Sequence, residues 1–356
     1  MSLDYTVYGF ELSYFTRKME AALRLHGLPF RRRSKTLLNW RRLERLSGCR
    51  KVPIVVTPEG RALSDTTPII DQLDTVQPAR RLFPGGVDGI VVRLVEEWLD
   101  EWFPRTVLHF RWQYPDSAGS ASAAIAREMA PWLPAPLRRP LERRIASWGD
   151  RACRAFGLDD VGGRQSAQAD AAAVWQALER QLDETRWALG DRPTAVDAVL
   201  LGALRGHYLN DPAPRRLMER WPRVLDWAER ADDWDGRGEP LPFPACTGFA
   251  ATVLERMAGP YQSWVLAHVA AVEREERSFS AEVGGRQLSF RTQRPPDPAM
   301  SRRRLVERLH HELDAGERRS VAAWLAGLGL ADLVPIEATP NGRQSGPERE
   351  GPRPGR

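Results

Sequence analysis

Cysteine, lysine and long apolar runs are what this sequence has little of. The 356-residue chain holds three cysteines, Cys49, Cys153 and Cys246. The count is odd, the spacing is wide and no CxxC pair occurs. That excludes a disulfide framework and a cysteine-based structural zinc site. Free thiols point to a reducing compartment, so a cytoplasmic setting is expected. No run of about 18 uncharged apolar residues exists, which excludes a membrane-spanning helix; no membrane partner is expected. The opening stretch, MSLDYTVYGF, has no basic segment followed by an apolar one, so no secretory signal is expected. Lysine occurs only as Lys18, Lys35 and Lys51, and the rest of the 52 basic residues are arginine.

What is present is ordinary for globular proteins. Apolar residues make up 42% and charged residues 28%, which excludes wholesale disorder. The length allows two or three domains. The formal charge is +5 and the pI about 9.4. Arginine is mostly interleaved with acids, as in Glu142-Arg143-Arg144 and Glu273-Arg274-Glu275-Glu276-Arg277. The same-sign runs at 31–33 and 302–304 are short, so a solvated face is the reading and no nucleic-acid partner is expected. The 13 Trp sit mostly at helical spacing beside aliphatic residues, which reads as core packing.

Residues 1–80 alternate between strand and helix signals. Tyr5 to Tyr8 is a β-rich run ending at Gly9. Met19, Ala22, Leu23 and His26 share one face of a helix over 16–27. Residues 29–33 read as an edge strand, 39–46 as a short helix, 52–56 and 61–63 as two further strands, and 66–76 as a last helix. A Pro- and Gly-bearing linker covers 77–86. An all-helical region follows over 87–240. Its first helix carries Ile90, Val91, Leu94, Val95, Trp98, Leu99 and Trp102 as an apolar stripe, with Glu96, Glu97, Asp100 and Glu101 on the opposite side; Pro104 ends or kinks it. Residues 241–335 read as a helical extension broken at Gly259-Pro260, with a hairpin around Gly284-Gly285. Residues 336–356 are expected to be a disordered tail.

Three signals in the first 80 residues concern chemistry. Ser13 precedes a helix, where unpaired amides and the helix dipole stabilise an anion; the alternative is a plain N-cap. Val52-Pro53 opens a strand, as a cis bond or as an edge strand, and the cis form leaves Val52 free to pair with an extended peptide. Ser64-Asp65-Thr66-Thr67-Pro68 puts a carboxylate and hydroxyls at a helix start, either to cap it or to hold the ammonium and carboxylate of a ligand. A ligand with a thiol, an extended backbone and an amino-acid end fits all three. The six His (26, 109, 207, 268, 310 and 311) show no metal-ligand grouping, and no metal is expected.

Val7-Tyr8-Gly9, Leu12-Ser13, Lys51-Val52-Pro53 and Leu63-Ser64-Asp65-Thr66-Thr67-Pro68-Ile69-Ile70 together resemble the thioredoxin-like N-terminal domain of glutathione S-transferases. Leu189-Gly190-Asp191-Arg192-Pro193-Thr194-Ala195-Val196-Asp197 resembles the capping box that starts a buried helix in that family's all-helical second domain, and Arg220-Trp221-Pro222 resembles a later helix start. The resemblance covers about two-thirds of the chain. It implies an α/β thioredoxin-like domain followed by an all-α domain, with glutathione as co-substrate. It also implies that Ser13 donates to the glutathione sulfur, with Tyr8 and Tyr14 as rivals. Val52 and Pro53 would then meet the cysteinyl unit, Asp65 and Thr66 the γ-glutamyl end, and Lys51 or Lys35 the glycyl carboxylate. Trp102, Phe103, Phe110, Arg111 and Trp112 are candidates for the electrophile pocket.

The expected activity is thiolate attack on a small apolar electrophile. Other glutathione chemistry (peroxide reduction, isomerisation, dehalogenation) and a non-catalytic binding or scaffold role are the alternatives. A homodimer is implied by the resemblance alone. Two departures stand out: Asp65 is shorter than the Glu or Gln frequent there, and Tyr14-Phe15 follow Ser13 where Pro is frequent.

Overall fold

Alternate residues of strand β1 (Tyr5–Gly9) point inward, and Val7 is fully buried. The chain then turns through Ser13 into helix α1 (Tyr14–Leu25), crosses over and returns as β2 (Phe30–Ser34), parallel to β1. After the short helix α2 (Trp40–Ser47) come β3 (Ile54–Val56), antiparallel to β1, and β4 (Ala62–Ser64), antiparallel to β3. The four strands run in the order β2-β1-β3-β4, and helix α3 (Thr66–Val76) closes the unit. This computed structural model describes residues 4–335, so the tail expected over 336–356 lies outside the described residues.

The helical part runs through α4 (Ile90–Glu101), α5 (Pro104–Trp112), α6 (Pro115–Met129), α7 (Ala135–Ala155), α8 (Val161–Glu184), α9 (Ala195–Ala203), α10 (Pro212–Met218) and α11 (Pro222–Arg230). Pro104 and Pro222 sit in first turns, where a missing N–H costs nothing. Thr194 and Asp197 form the capping box of α9: Asp197 accepts from the Thr194 amide at 2.7 Å, and Thr194 accepts from the Val196 amide at 3.3 Å. Helix α9 lies against α1. A Cβ on Gly202 would stand 2.7 Å from the Tyr14 carbonyl oxygen and 2.9 Å from the Lys18 amide nitrogen, so only glycine permits this approach.

The C-terminal extension comprises α12 (Gly248–Arg256), a π-helical turn at Met257–Tyr261, α13 (Gln262–Glu273), the hairpin β5 (Ser278–Val283) and β6 (Arg286–Arg291), α14 (Pro298–Glu312) and α15 (Ala315–Gly327). The break expected at Gly259-Pro260 is there, with Gly259 in a non-helical conformation. Gly284 and Gly285 both take positive φ, as a tight hairpin turn requires. Trp264 on α13 packs against Trp102, Phe156, Phe279 and Phe290, which joins the extension to the main core.

Helix α4 is covered on its acidic side as well as on its apolar stripe: every residue from Ile90 to Asp100 is buried. From α1, Lys18 Nζ reaches Glu96 at 2.6 Å and Asp100 at 2.5 Å. From the extension, the Tyr261 hydroxyl donates to Glu97 at 2.7 Å and the Ser301 hydroxyl at 2.5 Å. The charges mark contacts with elements far away in sequence, which local periodicity does not register. Of the 13 Trp, Trp40, Trp132 and Trp148 are exposed, while most of the others lie in the core.

Candidate active site

Ser13 is the N-cap of α1. Its extended backbone turns the chain into the helix, and its Oγ accepts from the Thr16 amide at 3.3 Å. The cap uses a lone pair and leaves the O–H free: among the described residues no acceptor meets it. The peptide around Ser13 is held from the helical part. Buried Arg111 donates to the Leu12 carbonyl at 2.6 Å, to the Gly206 carbonyl at 2.7 Å and to Asp211 at 2.7 Å. A Cβ on Gly206 would lie 3.0 Å from Ser13 carbonyl atoms, so this turn packs directly on the Ser13 backbone.

The Val52–Pro53 bond is cis. Val52 stands just outside the β3 ladder, whose first pairs join Ile54 to Tyr8 and to Ser64. Asp65 precedes α3 with φ 74° and ψ 115° and makes no side-chain cap bond. A non-glycine residue in the left-handed region costs energy and concentrates at functional positions. Its carboxylate is not spent on its own helix; it pairs with Arg304 of α14. Thr66, the first residue of α3, is buried, and Thr67 donates to Glu96 at 2.8 Å. Lys51 is exposed, and its Nζ donates to the Pro296 carbonyl.

Acidic residues of α4 stand near Asp65. Burial raises Asp100 and Glu97 to about 7, and lifts Glu101 well above the carboxylate range. Burial alone would lower Lys18, but Asp100 and Glu96 outweigh it and hold the ammonium above its ordinary value.

Several expected site residues are placed elsewhere. The Tyr14 hydroxyl points inward and donates to the Leu99 carbonyl at 2.8 Å; burial, then the charge of Asp100, pushes its pKa well above the usual phenol value. It is a packing residue, not a thiolate donor. Tyr8 is half-buried, and its hydroxyl has no partner among the described residues. Lys35 is buried and donates to Glu44 at 3.0 Å and to the Arg50 carbonyl at 2.7 Å, so it does not meet a ligand carboxylate.

The expected electrophile pocket is also corrected. Trp102 donates to Asp170 at 3.0 Å and packs on Trp264; Phe103 packs on Trp98, Trp175 and Tyr208; Phe110 lies on Tyr208 and Tyr114. Trp112 fills a second cluster with Ala121 and Ile145, and Arg111 is consumed by its three buried acceptors. All five are buried: the four aromatics pack against neighbouring helices, and Arg111 is held by its acceptors.

The sequence reading missed the contribution of the extension. Arg304 lies 239 residues from Asp65, inside a run taken as solvated. The only local signal was the i, i+3, i+7 spacing of Ser301, Arg304 and Arg308.

Comparison with known proteins agrees with this architecture. The family model for the glutathione S-transferase N-terminal domain matches residues 7–81, and that for the C-terminal domain matches residues 122–230. Among solved structures, a glutathione S-transferase from Rhodospirillum rubrum F11 is similar at 19% identity, over 70% of this chain and 99% of that one, with a TM-score of 0.42. One from Methylobacterium radiotolerans JCM 2831, in complex with glutathione sulfonate, is similar at 22% identity, over 68% and 96% of the two chains, with a TM-score of 0.40. Rice GST1, in complex with glutathione, is similar at 20% identity, over 68% and 93%, with a TM-score of 0.41. No curated protein matches the chain. The two domain matches together span just over half of the sequence, and the chain belongs to the glutathione S-transferase family.

Proposed function

We propose that the protein is a glutathione transferase in which the Ser13 hydroxyl donates to the sulfur of bound glutathione and favours the thiolate. The observation that carries this reading is the free O–H of Ser13 at the mouth of α1. A free thiol has a pKa of about 8.5 and is only a few per cent ionised at neutral pH. Lowering it by about 2 units needs roughly 2.7 kcal/mol of preferential thiolate stabilisation. One hydrogen bond to a charged acceptor supplies about 1.5–3 kcal/mol, and a helix N-terminus adds about 0.3–1 kcal/mol. The thiol proton leaves to solvent, the thiolate forms a C–S bond with a small apolar electrophile, and the leaving group departs with its bonding pair.

The other residues take places along the peptide. Val52, at the open end of β3, pairs with the cysteinyl unit beside Pro53. Asp65 and Thr66 hold the γ-glutamyl end, and Lys51 the glycyl carboxylate. No metal is needed for this chemistry. A homodimer and a cytoplasmic setting accompany this reading.

Retention on immobilised glutathione and conjugation of an activated aryl halide test it. Ser13→Ala should keep the fold and lose conjugation; full activity in that variant would move the donor to Tyr8. A panel of peroxides, isomerisable and halogenated substrates distinguishes the other glutathione reactions. A second reading, a binding or scaffold protein without turnover, is favoured by one observation: Lys51 and Asp65 are already bonded to the chain's own extension. Absence of glutathione binding by calorimetry at millimolar ligand would select it.

A further inference from the structure

We propose that Arg304, supplied by the C-terminal extension, is the residue that reads the α-carboxylate at the γ-glutamyl end of the ligand. This rests on the reading of the cleft as a glutathione site and names a specificity determinant within it. Helix α14 lies against α4 and the start of α3, with one stripe facing them. Ser301 donates to Glu97 on α4 at 2.5 Å, Arg304 pairs with Asp65, and Arg308 pairs with Asp71 on α3 at 2.5 Å. The spacing i, i+3, i+7 is one helical face.

The helix is anchored independently of Arg304. Leu305 and Leu309 are buried, and Arg302 donates to the Leu333 carbonyl at 2.7 Å and to the Asp332 carbonyl at 3.0 Å. Arg304 is therefore aimed at Asp65 by a fixed scaffold, yet its side chain stays 43% exposed and within reach of a ligand.

The charges explain why a cation is needed there. Asp65 places a carboxylate here, which by itself repels a ligand carboxylate. Nearby cations are already committed: Lys18 to Glu96 and Asp100, and Arg93 and Arg308 to Asp71. Arg304 is paired with Asp65, and with its side chain 43% exposed it can be shared with a ligand carboxylate. An adjacent fixed anion and fixed cation are the complement of an amino-acid zwitterion. The ligand ammonium takes Asp65, and its carboxylate takes the guanidinium, whose planar fork suits a carboxylate. The short Asp65 side chain fits the same picture, because it leaves room for the guanidinium beside it.

Calorimetry on the full chain tests the assignment with two peptides: glutathione, and γ-aminobutyryl-cysteinylglycine, which keeps the amine and lacks the α-carboxylate. Arg304→Ala should weaken glutathione about tenfold or more and leave the affinity for the second peptide nearly unchanged. Arg304→Lys should retain an intermediate affinity for glutathione, and it serves as the second variant if the alanine protein does not fold. Equal or tighter glutathione binding in Arg304→Ala overturns the assignment and makes Arg304 a plug of the cleft. Equal losses for both peptides also overturn it, since the effect is then not on the carboxylate. If the unmodified protein binds neither peptide, the reading of the cleft itself falls and this assignment falls with it.

Discussion

A guanidinium N–H of Arg111 donates at 2.6 Å to the carbonyl of Leu12, one residue ahead of Ser13. An arginine deep in the helical part thus sets the position of a serine in the thioredoxin-like part. Its other bonds, to Asp211 and to Gly206, fix the guanidinium on three sides. Burial lowers its pKa, and the Asp211 charge opposes that shift. Arg111→Met removes the cation and leaves Asp211 buried without it, which costs about 3–5 kcal/mol. The expected outcome is a marked fall in melting temperature together with a fall in conjugation rate. A variant that melts like the unmodified protein would show that the interdomain anchor lies elsewhere.

Glu97 governs a pH dependence of stability. Burial raises it to about 7, although hydroxyls of Ser301 and Tyr261 donate to it. The folded chain holds a proton that the unfolded chain has already released. Stability therefore falls as pH rises from the ordinary glutamate range through about 7, and the contribution amounts to about 3 kcal/mol above that. Asp100, also raised to about 7 by burial, adds a slope of the same sign. Glu97→Gln keeps one acceptor oxygen, puts an amide N–H donor where the other oxygen stood, and does not titrate. Denaturant midpoints between pH 5 and pH 8 should decline less steeply in the variant. An unchanged slope would mean that Glu97 stays ionised in the fold.

The start of α9 offers a cleaner stability test. Asp197 accepts from the amides of Thr194 and Ala188, at 2.7 and 3.0 Å, and burial lifts its pKa to about 6 against those bonds. Thr194→Ala removes the N-cap and costs about 1 kcal/mol. Asp197→Ala leaves two buried amides unpaired, at about 1–3 kcal/mol each. Chemical denaturation should rank Asp197→Ala well below Thr194→Ala; the reverse order would show that the cap is secondary.

These sites differ in how legible they are. Thr194 and Asp197 stand three residues apart, so their bond is written in adjacent sequence. The same holds for Ser13 before α1, and for the order of strands around Gly9, Pro53 and Gly60. The inner side of α4 was legible as an apolar stripe, whereas its acidic side was not, because its partners lie on α1, at Tyr261 and at Ser301. Trp102, Phe103 and Phe110 were misplaced because an aromatic on a helix has the same pattern whether it lines a cleft or fills a core. Arg304 was misread because charge alone does not distinguish a solvated arginine from one aimed at Asp65 across the whole chain.

The identity of the thiolate donor separates three hydroxyls that lie close in sequence. Tyr14 is bonded to the Leu99 carbonyl inside the protein, so Tyr14→Phe should cost about 1 kcal/mol of stability and leave the conjugation rate unchanged. Tyr8 sits on β1 with a free hydroxyl, so Tyr8→Phe should alter neither quantity unless it is the donor. Ser13→Ala removes the O–H while the α1 amides remain, so the thiolate keeps the dipole and loses the stronger contribution. Ultraviolet absorbance of the bound thiolate, followed against pH, reads this directly. In Ser13→Ala the midpoint should rise by about 1–2 units toward the free-thiol value, and the conjugation rate near neutral pH should fall about tenfold or more. A midpoint that rises only in Tyr8→Phe would assign the chemistry to the strand rather than to the mouth of α1.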